Sequence, residues 1–107
     1  MKGTYWQRGE TLDYLNNTGK KIENGDVVIL GKRVGIVGDD ILPGMEGIIH
    51  VSGVFEFKKA DDAEISMGTE VYFTEDGITA SENNDKIGYA AADSAASNTT
   101  IYVKINA

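Results

Sequence analysis

From Asp26 to Ile105 the chain repeats one device, a short apolar or alternating run closed by a glycine or a polar turn. The runs are Asp26–Gly31, Arg33–Gly38, Gly47–Gly53, Val54–Phe57, Glu70–Thr74, Ile87–Ala91 and Thr100–Ile105. A strand exposes side chains alternately on two faces, so runs this short, separated by turn residues, fit strands and are too brief for helices. Seven such runs, with Thr11–Leu15 and Ile78–Ala80 as weaker candidates, predict an all-β domain, a small β-barrel or sandwich of seven to nine strands. At 107 residues, there is material for one core and one domain. The expected boundaries are a flexible N-terminal arm over residues 1–9 and a single β-domain over 10–107.

Several function classes fall away on composition. There is no cysteine, which removes disulfides, thiolate zinc sites and a cysteine nucleophile. The formal charge of −7 argues against a surface that tracks phosphates, so nucleic acid is not an expected partner. Neither a signal-peptide core near Met1 nor an apolar run long enough to span a bilayer is present, so no membrane partner is expected, and synthesis in the cytoplasm is. Asn16-Asn-Thr18 and Asn98-Thr-Thr100 match the glycosylation triplet, a motif short enough to arise by chance.

Along the chain, Asn24-Gly25 reads as a turn, and Gly31-Lys32 as the tip of a hairpin. Glu75-Asp76-Gly77 is a second hairpin tip, joining Glu70–Thr74 to Ile78–Ala80. Lys58–Gly68 and Ala90–Asn98 read as loops or single helical turns, and Ser81–Lys86 as a solvated loop. Period-two spacing selects a core of Val28, Leu30, Val34, Ile36, Ile49, Val51, Phe55, Phe57, Val71, Phe73, Ile101 and Val103.

Motifs for chemistry are missing or incomplete. Around Gly31-Lys32 a phosphate-cradling loop fails twice, with Asp26 where its first glycine belongs and Arg33 after the lysine. Gly31, Gly35 and Gly38 lack dinucleotide-binding spacing. His50, the only histidine, lies in a strand pattern, and no nucleophile elbow surrounds Ser52. Asp61-Asp62-Ala-Glu64 and Asp39-Asp40 lack the ordered spacing of a calcium loop. No catalytic residue, cofactor-binding residue or metal ligand is therefore assigned. A small ligand-binding barrel or hydrolase would have His50 and the Asp61-Asp62-Glu64 loop as its only anchors.

The order of motifs resembles the phage head decoration family, small proteins often labelled capsid cement proteins. The matching pieces are Gly9–Leu12, Asn24–Val28, Arg33–Val37, Gly53–Lys59, Ile65–Phe73, Asp76–Thr79, Ile87–Ala90 and Thr100–Ile105, together nearly the whole chain. Related sequences often carry Leu-Pro-Lys after the Gly-Val-Phe strand and Gly-Asp before the Val-Tyr strand. This chain has Phe57-Lys-Lys59 and Gly68-Thr69 there. The resemblance implies a virion structural protein without enzymatic activity. It would bind the outside of a prophage or phage head, with the major capsid protein as partner, as a homo-oligomer with a trimer favoured. A tail or connector component is the other virion role compatible with such a domain. The arm adds an expectation of its own: Tyr5, Trp6, Gln7 and Arg8 as partner-binding residues, with the two aromatics buried when the arm adds a strand to a capsid subunit, unless a face of the body makes the main contact.

Overall fold

The computed structural model describes residues 1–82 and 85–107. It holds nine strands and no helix among those residues: β1 Thr11–Leu15, β2 Val27–Leu30, β3 Arg33–Val37, β4 Glu46–His50, β5 Val54–Lys58, β6 Glu70–Thr74, β7 Gly77–Thr79, β8 Asp85–Ala90 and β9 Thr100–Ile105. They form two antiparallel sheets, ordered β1-β4-β3-β2 and β5-β9-β8-β6-β7. The all-β expectation holds in its sandwich-like form; the barrel alternative does not. No ladder closes either sheet; the chain just past β5 meets β7 through an isolated parallel bridge, Lys59 to Ile78. The helical-turn alternatives for Lys58–Gly68 and Ala90–Asn98 also give way, because the two segments bridge each other at Ile65 and Ser94. The expected loop over Ser81–Lys86 is shorter, since β8 begins at Asp85, and Asn83 and Asn84 lie outside the described residues.

The two sheets are one motif built twice. Leaving aside β7, both have the order first-fourth-third-second strand. An antiparallel bridge joins Ile22 to Ile41 in one half, and the same bridge joins Ile65 to Ser94 in the other. Gly25 N–H donates to the Val37 carbonyl at 2.8 Å, as Gly68 N–H donates to that of Ala90 at 2.8 Å. Asp40 Oδ1 accepts from Asn24 N–H at 2.8 Å, and Asp93 Oδ1 from Met67 N–H at 2.7 Å. Both halves even close alike, with Val51 N–H on the Glu10 carbonyl at 2.9 Å and Ile105 N–H on that of Gly53 at 3.1 Å. The sequence trace of the duplication is thin: Ile22-x-x-Gly25 against Ile65-x-x-Gly68, both glycines at φ 90°. Each glycine is the third residue of a turn closed by the first residue's carbonyl, Glu23 to Asp26 and Ser66 to Thr69. That is a type II turn, which demands positive φ only there. Asn24 therefore does not adopt positive φ, unlike in the two-residue hairpin turn that Asn-Gly favours.

The core departs from a period-two list most clearly at β3. In β3, Val34 to Val37 are all buried. Val34 and Ile36 pack with the second sheet's Val71, Ile87, Ile101 and Val103, while Val37 joins Ile41 and Ile49 in a smaller cluster behind the first sheet. Being covered on both faces, β3 reads as a continuous run rather than an alternation. The second sheet's β9 has one free face and alternates strictly, burying Ile101, Val103 and Ile105. Of the expected core, Val28, Leu30, Val51, Phe55, Phe57 and Phe73 are half-buried, packed at the margins. Val37, Ile41, Ile65, Ile78, Ile87, Ala90 and Ile105 complete it.

Three polar clamps tie loops to this frame. Asn16 is fully buried; its Nδ2 donates to the carbonyls of Lys20 at 2.7 Å and Ile41 at 2.8 Å, and its Oδ1 accepts from Thr18. The amide nitrogen of that glycosylation triplet is thus spent inside the fold. In the second half Lys59 occupies the matching place and donates to the Ala95 carbonyl at 3.0 Å. Asn106 joins the halves, as described below.

Candidate interaction surface

The residues of the arm lie outside both sheets. Residues 1–9 contain no strand, and Tyr5, Trp6, Gln7 and Arg8 are all exposed, Tyr5 at 83% and Trp6 at 79%. Neither aromatic belongs to either core cluster. Two neighbouring aromatic side chains left in water are unusual for a monomer surface and are enriched where proteins meet.

A second exposed apolar group lies on the body, where sequence reasoning did not look. Leu42-Pro43-Gly44-Met45 is a type II turn, with Met45 N–H on the Leu42 carbonyl at 3.0 Å and Gly44 at φ 76°. Asn16 N–H reaches the Met45 carbonyl at 2.9 Å and brings the end of β1 alongside. Leu15, Leu42 and Met45 therefore share one tip and stand 53%, 58% and 57% exposed. The duplication supplies an internal control. The corresponding turn in the second half runs from Ala95 to Asn98, with Asn98 N–H on the Ala95 carbonyl at 2.9 Å, beside Lys58 at the end of β5. A four-residue turn closed by the same hydrogen bond is thus built there from small and polar residues, without the positive φ that Gly44 supplies, so closing the turn does not require an apolar tip. The sequence signal was the Leu-Pro-Gly-Met string itself, which reads only as a turn until Leu15 is placed beside it.

Several of the residues weighed for chemistry are used structurally. His50 packs its ring 5.7 Å from that of Phe55. Asp40 caps Asn24 N–H and lies 3.9 Å from Lys21 Nζ, while Asp39 Oδ1 accepts from the Asp40 N–H at 2.9 Å. Asp61 Oδ1 accepts from Ala63 N–H at 3.0 Å, a local turn. Among the described residues no three His, Cys, Asp or Glu side chains converge to hold a metal. The Tyr72 phenol is held above its ordinary pKa, first by desolvation and then by the Glu70 and Glu82 carboxylates. Replacing His50 by Ala, or Asp61, Asp62 and Glu64 together by Ala, is expected to leave binding to phage heads within about tenfold, roughly 1.4 kcal/mol, in a co-sedimentation assay. Loss of binding by a folded variant would give these residues a role in the contact.

An all-β domain with an exposed aromatic arm and an exposed apolar tip, whose His50, Asp40 and Asp61 are engaged in packing and turns, reads as a structural protein that works through its surface. The model of the phage cement protein family matches residues 6–105, and the chain belongs to that family. Its function is that of a capsid cement, or decoration, protein associated with the phage head. Neither a curated protein nor a solved structure matches the chain.

Proposed function

We propose that this protein sits on the outer surface of the head, bound to the major capsid protein through the Leu15-Leu42-Met45 tip, and acts by binding alone. The observation that carries this is the asymmetry between the two halves: at one tip Leu42 and Met45 of the turn stand exposed beside Leu15 of β1, whereas the corresponding turn, Ala95–Asn98, carries no large apolar side chain. An apolar cluster of this kind on a small domain supplies the buried anchors of an interface, where a few residues carry most of the affinity. A ligand that binds only the assembled lattice stabilises it by mass action, by about 2.7 kcal/mol per site at a hundredfold excess over its Kd. Repeated over a shell, that contribution opposes the outward pressure of packaged DNA. The protein is made in the host cytoplasm and acts as a homo-oligomer, with a trimer favoured by the local symmetry axes of such shells.

The test is co-sedimentation of the purified protein with expanded, undecorated heads. Leu42→Asp combined with Met45→Asp is expected to weaken binding by at least about 2 kcal/mol, roughly thirtyfold, with the melting temperature little changed because both residues are already more than half exposed. Unchanged head binding by that variant would remove the tip from the contact. Labelled protein found on tails or connectors rather than on heads would remove the outer-shell assignment.

A further inference from the structure

The arm and the body carry opposite charge. Residues 1–9 hold Lys2 and Arg8 and no acid, whereas the rest of the chain has eight basic and 17 acidic residues, a formal charge of −9. A cationic segment with two exposed aromatics seeks an apolar surface rimmed by carboxylates. Such a surface exists on the body: an open groove of about 730 Å³ between the start of β2 and the β6–β7 hairpin. Its floor includes Ile22, Val27, Phe57 and Phe73, and its rim carries Asp26, Glu75 and Asp76 against one cation, Lys58. The groove lined by Lys32, Arg33, Asp85 and Lys86 has the wrong sign, and the one beside Lys58, Lys59, Asp61 and Asp62 is balanced.

We propose that this acid-rimmed groove receives the Tyr5-Trp6-Gln7-Arg8 arm of a second copy of the chain, so that cement subunits are linked to one another by exchanged arms. Strand β2 ends the first sheet's order, and its outer edge is paired with no other strand. An extended arm can add there by main-chain hydrogen bonds. Paired in that way, Trp6 and Arg8 fall on one face roughly 7 Å apart, which sets the indole over the apolar floor and the guanidinium toward the carboxylates. The occupant is another copy because the chain's own arm leaves from β1, the opposite edge of the same sheet. It would have to double back over three strand spacings, roughly 14 Å, to reach β2. Attachment to the capsid rests on the separate tip, so the two contacts fail independently.

Trp6 is the only tryptophan, so its fluorescence reports the arm in the intact chain. As protein concentration rises at low salt, its emission is expected to shift to the blue in step with an increase in sedimentation coefficient. Both changes should recede as sodium chloride is raised, because the rim charges are solvent-accessible and screened. Glu75→Lys combined with Asp76→Lys should weaken self-association at least tenfold, as should Arg8→Glu. Mixing those two variants should restore part of it, since the reversed arm then meets a reversed rim; this recovery also shows that both fold. Four results would each overturn the proposal: no concentration dependence of either signal, a blue shift without a gain in mass (the arm folding onto its own body), oligomers that persist when residues 1–9 are deleted, or a Trp6 shift that appears only when heads are added.

Discussion

Gly88→Ala is expected to destabilise the protein by at least about 3 kcal/mol and to lower its melting temperature by more than about 12 °C, at about 4 °C per kcal/mol for a domain near this size. Gly88 lies in β8 between β6 and β9, paired with Val71 on one side and Ile105 on the other. The register slips beside it, between Val71 and Tyr72, so this is a bulge. There the backbone adopts φ 156°, and a Cβ would be driven against the Lys104 carbonyl and the Ile105 Cα. Both obstacles are main chain within a ladder and have no rotamer by which to yield. Glycine inside a strand marks such close approach, because any side chain must move a neighbouring strand. Thermal unfolding followed by circular dichroism measures the effect; a variant that melts within a few degrees of the parent would show that β8 can shift at little cost.

Asn106→Ala should cost about 3 kcal/mol, and Asn106→Gly measurably less. Just past β9, Asn106 has φ 58°, a left-handed conformation that asparagine tolerates and alanine resists by roughly 1 kcal/mol. Its Nδ2 donates to the carbonyls of Val34 at 2.8 Å and Val51 at 2.7 Å, and its Oδ1 accepts from Val34 N–H at 2.8 Å. Its backbone N–H meets the Ile87 carbonyl at 2.8 Å, and its carbonyl accepts from Arg33 Nη1 at 3.2 Å. One side chain therefore serves three main-chain groups of the first half while its own backbone belongs to the second. Removing it leaves partly buried polar groups unpaired, at about 1–3 kcal/mol for each one that water does not reach. Glycine restores the backbone freedom without the hydrogen bonds, so the stability order Asn, Gly, Ala separates the two contributions. Equal stabilities in urea denaturation would mean that water replaces the amide and that the halves are held by packing alone.

Much of the architecture is local and was legible. Runs such as Thr100–Ile105 alternate because one face is covered, and hairpin tips such as Gly31-Lys32 and Glu75-Asp76 name their partners by adjacency. The catalogue of absent motifs is equally a property of residue types. The order of strand and turn pieces was enough to suggest the family that residues 6–105 match. Tyr5 and Trp6 stood out in sequence as aromatics on a segment too short to fold alone, while their exposure came from the structure.

What the chain does not disclose residue by residue is long-range pairing. β1 pairs with β4 and β5 with β9, across separations that no short window contains. Those pairings create the duplication, which survives in sequence as little more than Ile-x-x-Gly, because a repeated backbone needs the same turns and hydrogen bonds but not the same side chains. They also place Leu15 beside Leu42 and Met45, set the acid-rimmed groove between two sheets, and turn Asn106 from a terminal residue into a clamp. Sequence determined the strands, their turns and the absence of recognisable catalytic motifs, since these depend on neighbours along the chain. Tertiary structure alone decided which strands share a sheet, why β3 is buried on both faces and which exposed side chains form a surface, since these depend on neighbours in space.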